Sequence, residues 1–130
     1  MAMIPFDQVS FMKLGLETAG FSRWEMYLEH TNIDRFRGWY GSRPTVCETV
    51  WRMLQWSVNE ECRIGSDANP MHLLLALRFL KAYSTELELA GQFKITEKAV
   101  RKWSGMCVRK INLLLEEMVS DCRIEIEFLF

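Results

Sequence analysis

The chain reads as all-α: a compact multi-helix domain of 130 residues containing a helix-turn-helix. Three observations predict this. Apolar residues recur at helical spacing through most of the sequence. Asn69-Pro70, Thr85 and Thr96 stand where helices would start. Strand-like alternation occurs only at the end, in Ile124-Glu125-Ile126-Glu127-Phe128. With 49% hydrophobic residues the chain can build one continuous core, so residues 1–130 are predicted to form a single helical domain. Within it, 1–68 is an aromatic-rich helical support region, 69–119 a core helix plus helix-turn-helix, and 120–130 a tail that could extend as a short strand.

The first forty residues read as short helices carrying Phe6, Phe11, Phe21, Trp24, Tyr27, Phe36, Trp39 and Tyr40, with Gly15 and Gly20 as weak points. Tyr40-Gly41-Ser42 is a stop signal, after which Ser42 offers a hydroxyl to a new helix whose first turn tolerates Pro44. Val46, Val50, Met53 and Leu54, widened by Cys47 and Trp51, predict a buried helix over 43–57. Asn59 to Asn69 is polar and is the longest predicted loop. Asn69 as cap and Pro70 at the first helical position then open a helix reaching Tyr83, apolar on most sides and therefore central.

Thr85 and Thr96 each suit a helix cap, with Glu86 and Glu97 favoured at the positive N-terminal ends. Ala90 is small where two helices must approach, Ile95 is the apolar turn residue, and Val100 and Trp103 face the core. This is the pattern a helix-turn-helix needs. At about 100° per residue, Ala99, Val100, Trp103, Met106, Cys107, Ile111, Leu114 and Met118 share one side of the second helix. Lys98, Arg101, Lys102, Gly105 and Arg109 share the other. Gly105 costs about 1 kcal/mol of helix propensity, yet it sits among the cations, where a missing side chain would let a phosphate backbone come close.

Charge is focal. The net charge of -1 argues against a basic, sequence-indifferent coat protein, but residues 94–110 hold Lys94, Lys98, Arg101, Lys102, Arg109 and Lys110 against Glu97 alone. Residues 112–130 hold five anions against Arg123. Guanine edges in a major groove accept from Arg and Lys, which makes Lys98, Arg101 and Lys102 candidate base readers. Lys94, Arg109 and Lys110 are candidate phosphate contacts. The competing reading is a solvated cationic face, with Glu97 pairing to Arg101 one turn on.

With those residues in view, the chain resembles the N-terminal helix-turn-helix region found ahead of the catalytic domain in eukaryotic DDE-superfamily transposases of the Harbinger type. The likeness is loose over 35–42 and 46–54, and better over 72–86 and 98–103. It covers roughly residues 32–119. The resemblance implies double-stranded DNA as partner, with Lys98, Arg101 and Lys102 at the contact and Trp103 as scaffold. It implies a nuclear location. Lys94 stands at the turn site where many such motifs hold Gly.

Nothing in the sequence calls for catalysis, a cofactor or a metal. There is no glycine-rich phosphate loop, nucleophile elbow or paired-histidine motif, and the adjacent carboxylates Glu60-Glu61 and Glu116-Glu117 diverge by about 100° on a helix. The chain is therefore expected not to be an enzyme. Cys47, Cys62, Cys107 and Cys122 are too spread for a zinc or redox motif, and free thiols in a reducing compartment are expected. No run approaches the roughly 18 apolar residues of a membrane span, and no secretory leader is read. The rival to DNA binding is a protein-interaction or homo-oligomer assembly module, suggested by the early aromatics and the apolar tail. That tail is read as the cut edge of a longer protein in preference to a self-pairing strand.

Overall fold

Among the described residues, six α-helices follow one another: α1 Gln8–Thr18, α2 Glu29–Tyr40, α3 Pro44–Trp56, α4 Pro70–Ala82, α5 Glu86–Phe93 and α6 Glu97–Asp121. The computed structural model describes the backbone of residues 6–121 and the side chains of 6–117. The tail at 122–130, Cys122 and the inward assignment of Met118 lie outside these. Short 3-10 turns at Trp24–Met26 and Glu60–Cys62 interrupt the connections.

Most helix ends have a local cause. The Asp7 carboxylate accepts from the Ser10 N–H at 2.8 Å and caps α1. α2 stops at Gly41, which takes a φ of 76° that side chains disfavour and donates its N–H to the Arg37 carbonyl. Ser42 does not cap α3. It is buried, Arg43 occupies the cap position without a side-chain bond, and Pro44 carries the helix start through its fixed φ. The face of α3 turned inward is centred on Cys47, Trp51 and Leu54, with Val46, Val50 and Met53 at its edges.

Gly15 is not a weak point. A Cβ there would overlap the Phe36 ring, and the Gly15 carbonyl accepts from the Tyr40 hydroxyl at 2.7 Å. The missing side chain is the notch into which α2 packs. Gly20, with a φ of 98°, does end its segment as expected.

α4 touches every other helix. His72, Leu73, Leu74, Leu75 and Ala76 are consecutive and all buried, so a full turn of this helix sees no solvent. Each such leucine contributes about 1.5–3 kcal/mol relative to exposure. The cap is reciprocal: Asn69 Oδ1 accepts from the Met71 N–H at 2.9 Å, and His72 Nδ1 accepts from the Asn69 N–H at 3.0 Å. The predicted loop before it is only partly open, because Cys62 and Ile64 fold inward and the Ile64 N–H donates to the Leu54 carbonyl.

The early aromatics belong mainly to the interior. Phe11, Phe36 and Tyr40 are buried, while Phe6, Phe21, Trp24 and Trp39 pack against the core from its margin. Trp39 carries the Arg78 guanidinium 3.8 Å above its ring, and Arg78 also donates to the Trp39 carbonyl. Of the eight, Tyr27 is the one with an exposed side.

Candidate nucleic-acid interface

α5 and α6 are joined by Lys94-Ile95-Thr96. Thr85 Oγ1 accepts from the Glu88 N–H at 3.1 Å, and the Glu88 carboxylate reaches back to the Thr85 N–H and hydroxyl, closing a capping box. Thr96 Oγ1 accepts from the Ala99 N–H at 3.1 Å, as its position before α6 predicts. Between the helices Lys94 adopts φ 57° and ψ 46°, the conformation a glycine would take there, and the Ile95 N–H closes the turn on the Ala90 carbonyl. Ile95 packs against the core.

α6 continues through Gly105 without a break. Val100, Trp103, Cys107 and Leu114 are buried, as helical phase predicts, with Ser104 beside them donating its hydroxyl to the Val100 carbonyl. Trp103 lies parallel to the His72 ring at 3.9 Å, fastening α6 to the N-terminal turn of α4. Burial holds the His72 imidazolium below its ordinary pKa; nearby Asp67 opposes the shift and Lys102 adds to it.

Lys98, Arg101, Lys102, Gly105 and Arg109 are all exposed. A Cβ at Gly105 would meet nothing within 4 Å, so packing does not require a glycine there. Among the described residues, no hydrogen bond or ion pair occupies Lys94, Lys98 or Arg109. Lys102 sits 3.8 Å from an Asp67 oxygen and 4.6 Å above the Trp103 ring, with its side chain still 54% exposed. Such a surface pair is worth about 0–1 kcal/mol and yields readily to a stronger anion.

Two cations depart from the sequence reading. Lys110 leaves the group: nine residues from Arg101 it lies about 180° around the helix, where its ammonium donates to the Glu61 carbonyl of the second 3-10 turn. Arg101 does not pair with Glu97. Its Nε–H and Nη2–H donate to Glu86 at 2.9 and 3.1 Å, a two-point contact between α6 and the first residue of α5. That bond holds the Glu86 carboxyl below the usual carboxylate range and Arg101 above its own ordinary value. Sequence reasoning assigned Glu86 only to the helix dipole; a contact 15 residues away across a turn has no local signal.

Beside the cationic face runs a groove of about 470 Å³ between α6 and the α4–α5 corner. Phe79, Leu89 and Val108 form its apolar wall, Gly105 lies on it, and Arg101 and Arg109 edge it together with Glu86 and Glu116. Outside this face Cys47, Cys62 and Cys107 are buried free thiols, and burial pushes Cys107 up to about 12. No helix among the described residues is long and apolar enough to cross a membrane, and none of them gather three or more metal-ligating side chains. Comparison of the chain with protein-family models, curated proteins and solved structures returned no match.

Proposed function

We propose that the protein is a DNA-binding helix-turn-helix domain in which α6 is the recognition helix, acting in the nucleus and without an active site of its own. The observation that carries this reading is the grouping of exposed Lys98, Arg101, Lys102 and Arg109 around an open glycine on an unbroken helix, whose opposite side is fixed in the core. A major groove about 12 Å wide accepts one helix, and base edges there accept from Arg and Lys. The N-terminal half of α6 then meets bases through Lys98, Arg101 and Lys102, while Lys94 and Arg109 meet phosphates. A relationship to the DNA-recognition region of Harbinger-type DDE transposases, on the residues that resemble it, belongs to the same proposal.

The test is binding to duplex DNA by the parent and by a double variant, Arg101→Glu with Lys102→Glu. Reversing both charges abolishes binding while the fold is kept, because each side chain is more than half exposed and the pairs to Glu86 and Asp67 that are lost are surface pairs that contribute little to stability. A double variant that binds as well as the parent contradicts the proposal.

Assembly is the second reading. Its support shifts from the early aromatics, now mostly interior, to the α4–α5 corner, where Phe79, Leu80, Tyr83 and Leu87 are exposed. Light scattering distinguishes it: the DNA-binding reading requires no self-association through that corner, and an obligate oligomer that ignores duplex DNA would favour assembly.

A further inference from the structure

We infer that Arg101 reads a guanine and that Glu86 is the positioning residue that makes it do so; this rests on the proposed DNA-binding role. The inference comes from which edge of the guanidinium is occupied. Glu86 takes Nε–H and one Nη2–H, the side edge. Arginine carries five N–H donors in a rigid plane, so the end edge remains, with an Nη1–H and the outer Nη2–H directed away from the pair. Two parallel donors match the O6 and N7 acceptors that guanine presents in the major groove. A carboxylate on the side edge also limits rotation of the long side chain before contact, so less freedom is lost on binding.

Glu86 has a second effect. As an anion next to Arg101, itself favoured at the first position of α5, it repels phosphates and disfavours diversion of the guanidinium to the DNA backbone. Arg101 thus differs from Lys98 and Arg109, which have no acid bridged to them among the described residues and suit phosphate as well as base. The arrangement trades general affinity for discrimination.

The experiment selects duplexes from a randomised pool with the parent protein, then measures affinities for the selected duplex, for a random duplex, and for the selected duplex with 7-deazaguanine at each guanine in turn. One 7-deazaguanine is expected to weaken the parent about tenfold or more, through loss of the N7 acceptor. Arg101→Ala removes both donors and becomes indifferent to that substitution. Glu86→Gln binds random duplex several-fold more tightly and discriminates several-fold less, a combination that a merely structural role for Glu86 would not produce. If Glu86→Gln fails to fold, Arg101→Ala still decides whether a guanine is read through Arg101. Parent protein that binds duplex with no guanine sensitive to Arg101, or a folded Glu86→Gln with undiminished discrimination, overturns the inference and leaves DNA binding standing. Parent protein that binds no duplex at all removes both.

Discussion

Gly15 and Tyr40 form a lock between α1 and α2 that depends on the absence of a Cβ at position 15. Gly15→Ala forces a methyl into the Phe36 ring, and overpacking of this kind costs about 1–3 kcal/mol, read as a lower denaturant midpoint at unchanged slope. An unchanged midpoint would mean that α2 shifts freely on α1. His72 supplies a pH dependence. Its pKa is depressed in the folded chain, so the unfolded chain takes up the proton first as pH falls. Stability is therefore complete above the unfolded value of about 6.5, declines as pH drops from there through the folded value, and then levels. The protonated ring also cannot accept from the Asn69 N–H. His72→Gln, which can serve the same reciprocal cap, is expected to flatten that part of the profile; chemical unfolding at pH 7.5 and 5.5 measures it.

At the scale of elements, the sequence makes most helices legible because their ends have chemical causes close by. Asn69-Pro70 and Thr96 act as read, and α4 is central because a run such as Leu73-Leu74-Leu75 leaves no polar side to expose. Thr85 and Glu88 three residues later also form a local signal, the capping box, beside the favourable charge of Glu86 in the first turn. Gly15 reads as a weak point in sequence because a helical glycine looks like a defect until the ring from another helix is in place. The Glu86–Arg101 bridge and the His72–Trp103 stack were invisible for the same reason: each joins residues whose proximity exists only after the helices pack. Lys110 shows the limit of counting charges, since a half-turn of phase removes it from the face its neighbours share. Gly105 gives a prediction in which stability and function diverge. Gly105→Ala stabilises α6 by roughly 0.5–1 kcal/mol, because the added methyl meets nothing and helix propensity improves. The same variant weakens duplex binding if DNA approaches there; equal or tighter binding would place the DNA elsewhere.

For the whole molecule, the net charge of -1 conceals a division between a cationic face on α6 and the anions that follow Asn112. Long-range attraction then orients an approaching polyanion toward the N-terminal half of α6. The burial of α4 against every other helix gives α6 a rigid support, so that the exposed cations are displayed at fixed spacing and not on a flexible arm. The central claim is that these cations neutralise phosphates and donate to base edges on one face of α6. Affinity for a random duplex across a range of salt concentrations tests it most directly, comparing the parent with Lys94→Ala and Arg109→Ala. Binding should fall linearly on a log–log plot with a slope of about -0.9 per phosphate contacted, and each substitution should make the slope shallower by about that amount. Binding indifferent to salt, or slopes that neither substitution changes, would contradict the account.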